Sequence, residues 1–123
     1  MKQEDKELLL KDLCARLPYG VMVKITNVST QFSKDETLSP NRFYSIDDDN
    51  ILIKPYLRPM SSMTEEDMEE LLNIDKKKAM FSSSHLTLHI DGEIFDYLNK
   101  KMFDWRGLIP MNLALEAPEG MYK

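Results

Sequence analysis

Residues 103–109 (FDWRGLI) hold the only tryptophan of the chain, Trp105, directly beside Arg106. Tryptophan and arginine are the residue types most enriched among the hot spots of protein interfaces, because they combine a large contact area with directed hydrogen bonds. We therefore take Trp105, Arg106 and the adjacent Asp104 as candidate binding residues. The alternative is structural: Trp105 closes the core, and Arg106 pairs with a carboxylate such as Asp104.

The segment 54–64 supplies two further candidates, Tyr56 and Arg58. Both could extend the Trp105 surface towards a protein partner. Arg58 and Arg106 could instead clamp an anion, since guanidinium groups bind phosphate and carboxylate through paired hydrogen bonds. This second hypothesis describes a small enzyme, or a binding protein, for a phosphorylated or carboxylated metabolite.

The sequence contains no complete metal-binding or catalytic motif, because residues that each motif requires are missing. His85 and His89 are four residues apart, but no cysteine pair or distinctive third ligand accompanies them for zinc. The acidic run 47–50 lacks the glycine and glutamate that an EF-hand loop requires at its later positions. Serines 82–84 beside His85 match no nucleophile motif, and no glycine-rich phosphate loop occurs. We expect no catalytic residues, no metal and no cofactor, which favours a non-catalytic protein.

The composition is that of one globular domain spanning residues 1–123. Of its 123 residues 42% are hydrophobic and 30% charged, and the formal net charge is −5. That charge argues against nucleic-acid binding, for which the lysines at 76–78 and 100–101 form only short runs. Cys14 is the only cysteine, and the sequence shows neither a secretory signal nor a membrane span. We predict a cytoplasmic location and no membrane partner.

The N-terminal residues 4–17 have the apolar spacing of a helix that ends before Pro18 and Gly20. We predict Leu9, Leu10, Leu13, Cys14 and Leu17 on its apolar side. The polar residues Lys6, Glu7, Lys11, Asp12 and Arg16 are expected mostly on the other side.

β-Branched and alternating residues predict strands at 21–29, 42–47 and 51–57, with a hairpin around the acidic turn and a loop at 31–41. Thr64 is the predicted N-cap of a helix to about residue 72, with Asp67 three residues later. The remaining predictions are a loop at 76–84, a short strand at 86–90, a helix at 92–101 and an irregular tail. The fold class is therefore α+β: the N-terminal helix packs on a small, mainly antiparallel sheet, completed by two further helices and the tail.

Three segments, KPYLRPMSSMTEE at 54–66, FDWRGLI at 103–109 and LALEAPEGMY at 113–122, resemble a family of short uncharacterised proteins from gut bacteria and their phages and prophages. The resemblance spans most of the chain and brings no activity, cofactor or substrate with it. It implies a cytoplasmic accessory protein carried on mobile DNA. Together with the hot-spot residues, it predicts a non-catalytic factor that acts through an unknown protein partner.

Overall fold

The computed structural model describes residues 2–46, 48–80 and 84–122, with side chains described outside 74–80 and 84–91. Its α-helices are α1 (Gln3–Arg16), α2 (Glu65–Met80) and α3 (Ser84–Lys100), and its strands are β1 (Met22–Asn27), β2 (Ser33–Thr37), β3 (Ile51–Leu57) and β4 (Leu115–Glu116). The side chains of His85, His89, lysines 76–78 and serines 82–84 lie outside the described residues.

The strands form one sheet in the order β2-β1-β3-β4. β1 pairs antiparallel with β2 and with β3, and β4 adds two residues parallel to the end of β3. Leu9 and Leu13 of α1 lie in one buried cluster with Val23, Ile25 and Ile53 of the sheet. The predicted α+β class, with an N-terminal helix on a mainly antiparallel sheet, is confirmed.

The predictions of a strand at 42–47 and of a loop at 31–41 are wrong. Residues 42–47 were expected to pair across the acidic turn, but Pro40–Ser45 form a 3₁₀ helix instead. The missing strand is β2, inside the predicted loop 31–41, and its hairpin partner is β1. β2 lies at the sheet edge with nearly all its side chains exposed, so it lacks the apolar alternation by which a strand is recognised.

The helices after the sheet are longer than the sequence pattern suggested. α2 continues to Met80 through part of the predicted loop 76–84, and the predicted strand 86–90 belongs to α3. The alternation of apolar and polar residues at 86–90 favours a strand by its local pattern, but in the structure these residues are part of the longer helix α3.

The face of α1 that meets the core differs from the predicted apolar side. Asp12 and Arg16 are completely buried, whereas Leu10 is 40% exposed and Cys14 lies at the surface. The prediction that Asp12 and Arg16 lie on the solvent side is therefore wrong. Their burial is possible because the two side chains pair with each other at positions i and i+4.

Pro55 lies inside β3 without breaking the sheet. Its register partner is Val23. On the same strand the Val21 carbonyl accepts the Leu38 N–H and the Asn27 N–H donates to the Phe32 carbonyl. The backbone polar groups of Val21, Val23 and Asn27, which are spaced by even numbers of residues, therefore point towards β2 and away from β3. Because Pro55 lies opposite Val23 in an antiparallel pair, its backbone nitrogen, which carries no hydrogen, faces away from β1. β4 pairs only with Tyr56 and Leu57, so no described partner needs that donor.

α3 ends in a tight reversal at Met102, which has a positive φ of 64°. Met102 N–H donates to the Asn99 carbonyl, and Phe103 N–H donates to the Leu98 carbonyl, a pattern known as a Schellman cap. The chain then runs beside Arg58, whose backbone N–H donates to the Met102 carbonyl at 2.7 Å. This cap brings the end of α3 and residues 103–109 against the end of β3.

Within the described residues, no helix has the length and apolarity needed to cross a membrane.

Candidate functional site

Trp105 is half-buried beside the last turns of α3. Its indole Nε1–H donates to Asn99 Oδ1 at 2.9 Å, and Asn99 is only 5% exposed. Its ring centroid lies 4.6 Å from that of Phe95, and the Arg106 guanidinium carbon lies 4.0 Å from its centroid. We call Phe95, Trp105 and Arg106 the aromatic–cation stack.

Arg106 is fixed at its other end by Asp12 of α1. Arg106 Nε donates to Asp12 Oδ1 at 3.1 Å, while Arg16 Nε donates to Asp12 Oδ2 at 2.9 Å. Arg16 Nη2 also donates to the Phe103 carbonyl at 2.7 Å. One carboxylate therefore holds two guanidinium groups, so the cluster carries one positive charge in excess. It ties α1 to residues 103–106.

Asp104 organises the turn in which Trp105 and Arg106 lie. Its carboxylate accepts the backbone N–H groups of Leu108 at 2.7 Å and Ile109 at 2.9 Å. Asp104 is 7% exposed, so both oxygens act within the fold. The carboxylate that pairs with Arg106 is Asp12 and not Asp104.

Arg58 is held between an aromatic ring and a carboxylate. Its guanidinium carbon lies 4.2 Å from the Phe103 ring centroid, and Nη2 donates to Asp67 Oδ2 at 3.1 Å. Burial alone would raise the pKa of Asp67, but hydrogen bonding with Thr64 and Arg58 outweighs it, so this pKa is lowered. Thr64 N–H donates to Asp67, and Asp67 N–H donates to the Thr64 hydroxyl. The predicted N-cap of α2 is therefore confirmed as a reciprocal capping box.

The side chain of Tyr56 is buried and hydrogen-bonded within the sheet. It is 8% exposed, and its hydroxyl donates to Asp35 Oδ1 of β2 at 2.7 Å. Burial, followed by the bond to Asp35, raises the pKa of Tyr56 to about 12. The Tyr56 carbonyl accepts the Tyr122 hydroxyl at 2.7 Å, which fastens the tail to the sheet.

Two clefts meet at Arg58 and Tyr122. The larger, of about 750 Å³, is lined by Arg58 and by the carboxylates of Glu66, Asp67, Glu116 and Glu119, among other residues. The smaller, of about 280 Å³, is lined by Tyr19, Arg58, Lys100, Lys101, Met102 and Tyr122. Arg106 lines neither cleft, so the two arginines of the anion-clamp hypothesis do not share one. In the described part of the chain, no group of three potential ligands is placed to hold a metal ion.

The structure thus adds residues that sequence reasoning did not single out. Asp12 and Arg16 anchor Arg106, Asn99 anchors Trp105, and Phe95 extends the stack. The i, i+4 spacing of Asp12 and Arg16 was visible in the sequence, but such pairs are common on solvated helix faces. Only the packing of α1 against residues 103–106 distinguishes this pair.

Comparisons of the chain with protein-family models, with curated proteins and with solved structures found no match.

Proposed function

We propose that the protein is a non-catalytic accessory factor that binds a protein partner through the aromatic–cation stack. The observation that carries this proposal is the way the stack is held. Trp105 and Arg106 remain partly exposed, yet each is tied to a buried side chain, Asn99 and Asp12 respectively. Ordering a side chain at an interface costs about 0.5–1.5 kcal/mol, and this cost is already met in the free protein.

The exposed edge of the stack has the chemistry of an interface anchor. Phe95 is 44% exposed although it contacts Trp105, so it presents apolar area next to a guanidinium group. Arginine and aromatic side chains in contact combine apolar area with charge, and both types are enriched at interface centres. A partner with an apolar side chain flanked by a carboxylate would complement this surface.

The structure changes which substitutions can test the proposal. Alanine at both Trp105 and Arg106 would remove a bond from buried Asp12 and a ring from between α3 and the turn, so lost binding could reflect lost folding. Phe95→Ser is a sharper variant because Phe95 is substantially exposed. Phe32→Ser is its matched control, since Phe32 follows β1 and is 68% exposed.

The experiment is affinity capture from bacterial lysates, with and without phage induction, because the family resemblance suggests a partner encoded by a host or its phage. The three baits are wild type, Phe95→Ser and Phe32→Ser, each shown folded by circular dichroism. We expect one partner to be retained by wild type and Phe32→Ser and lost by Phe95→Ser. Equal retention by both variants, or no capture by wild type, would count against the proposal.

A further inference from the structure

The smaller cleft differs in charge from the rest of the molecule. The chain has a formal net charge of −5, yet the residues that line this cleft include Arg58, Lys100 and Lys101 and no carboxylate among the described residues. Four separate parts of the chain contribute: the turn after α1, the end of β3, the end of α3 and the C-terminal tail. The fold therefore gathers cations that are far apart in sequence.

The charge on this cleft is only partly neutralised. Asp67 pairs with Arg58, whereas the ammonium groups of Lys100 and Lys101 form no ion pair with any described side chain. The uncompensated charge is thus close to that of two ammonium groups. A phosphate monoester carries about −1.5 to −2 at pH 7, whereas a single carboxylate carries −1, so the monoester is the better match.

Arg58, Lys100 and Lys101 together provide several hydrogen-bond donors for an anion. Arg58 is held by the Phe103 ring and by Asp67 through Nη2, which fixes the plane of its remaining N–H groups. Each lysine offers three donors on a flexible stem. The Tyr19 hydroxyl donates to no other described residue, and Tyr19 is 39% exposed, so its side chain can contact the rest of a ligand.

Lysines at the end of a helix also stabilise its dipole, and that role would explain Lys100 and Lys101 alone. It would not explain why Arg58 and two tyrosines, Tyr19 and Tyr122, line the same cleft. Carboxylates in the adjacent larger cleft would repel an anion from that side. The cations of the smaller cleft therefore define where an anion can bind.

We propose that the cleft lined by Tyr19, Arg58, Lys100 and Lys101 binds the phosphoryl group of a small metabolite. The volume of about 280 Å³ is near the lower end for small-molecule sites, which favours a compact ligand. This site is separate from the aromatic–cation stack, so it stands or fails independently of the proposed protein interaction.

The test is a two-dimensional ¹⁵N–¹H NMR titration with phenyl phosphate and with inorganic phosphate, at constant ionic strength because exposed charges are screened by salt. We expect saturable shifts confined to the amides around Tyr19, Arg58, Lys100, Lys101 and Tyr122. The Lys100→Ala, Lys101→Ala variant should bind roughly tenfold more weakly or worse, since two charge-assisted bonds are lost. The control Lys2→Ala, Lys11→Ala makes the same change in net charge on α1 and its cap and should bind like wild type.

Further arms of the experiment separate the ligand classes. Citrate binding as tightly as phenyl phosphate would overturn the phosphoryl assignment. Binding to vesicles that contain phosphatidic acid, without saturable binding of the soluble phosphates, would overturn the small-metabolite assignment. Equal weakening in the control variant would show an effect of net charge alone and would also overturn the site. Melting temperatures of both variants without ligand measure the helix-dipole role separately.

Discussion

Asp12 accepts a hydrogen bond from Arg106 at 3.1 Å, although 94 residues separate them in the sequence. The same carboxylate holds Arg16, whose side chain is completely buried. Residues from the first helix and from the turn after the last helix thus meet at one buried charge. This contact holds the Arg106 guanidinium over the Trp105 ring and ties the aromatic–cation stack to α1.

The shared carboxylate predicts a graded loss of stability. Asp12→Ala leaves the buried Arg16 without a carboxylate to neutralise its charge, and we expect it to lower the free energy of unfolding by roughly 3–5 kcal/mol. Arg106→Ala leaves Asp12 paired with Arg16 and should cost less, about 1–3 kcal/mol. Urea unfolding followed by circular dichroism measures both. Lys11→Ala, on the exposed face of the same helix, is the control and should change stability by less than about 0.5 kcal/mol. The account is wrong if Arg106→Ala costs more than Asp12→Ala.

The bond from Trp105 to Asn99 predicts a spectroscopic change. Asn99→Ala removes the acceptor of the indole N–H, so we expect a loss of about 1–2 kcal/mol in the free energy of unfolding and a shift of the emission maximum. Because Trp105 is the only tryptophan, the fluorescence reports this site alone. Asn41→Ala, at an exposed position, should leave the spectrum unchanged. An unchanged spectrum in Asn99→Ala would contradict the bond.

Asp67 predicts sensitivity to acid. Its pKa is lowered in the folded protein, so its contribution to stability is present above the ordinary carboxyl value of about 4 and is lost as the pH falls through the lower folded value. Asp67→Asn should therefore be less stable than wild type at pH 7, by about 1–2 kcal/mol for the lost cap and charge pair. The difference should shrink as the pH falls from 5 to 2 in denaturant titrations. A difference that is constant with pH would argue that the charge of Asp67 is unimportant.

Tyr56 predicts a loss of stability in alkali. Its pKa is raised to about 12, so the stability that the neutral phenol contributes is complete below the ordinary value of about 10 and is lost as the pH rises towards 12. At pH 11 we expect this loss to be about 1 kcal/mol in wild type. Tyr56→Phe cannot ionise and should lose less stability between pH 9 and 11, measured by urea unfolding. Equal losses in the two proteins would refute the burial of a neutral phenol.

The sequence predicted the elements whose patterns are local. The helix at residues 4–17, the strands at 21–29 and 51–57 and the cap by Thr64 and Asp67 depend on spacing within a few residues, and the structure has all of them. β2 was missed because an exposed edge strand is stabilised by backbone bonds to β1 and needs no apolar side chains. The predicted strand 42–47 failed because the segment begins as a 3₁₀ helix at Pro40.

The candidate site was predictable only in part. Residue type alone pointed to Trp105 and Arg106, but their anchors lie in α1 and α3, and no local pattern links Asp12 or Asn99 to residues 103–109. Tyr56 and Arg58 were predicted to extend the Trp105 surface, and Arg58 alternatively to clamp an anion together with Arg106. In the structure Tyr56 bonds to Asp35 within the sheet, and Arg58 lies where the two clefts meet.

The most direct test of the central claim uses the fluorescence of Trp105 during titration with the purified partner obtained by capture. Phe95→Ser is the test variant and Phe32→Ser its control, with affinities checked by calorimetry. We predict a saturable change in Trp105 emission, a partner affinity at least roughly tenfold weaker in Phe95→Ser, as for a moderate hot spot, and no change in Phe32→Ser. Binding that leaves Trp105 emission unaltered and tolerates Phe95→Ser would show that the partner contacts another surface and would contradict the account.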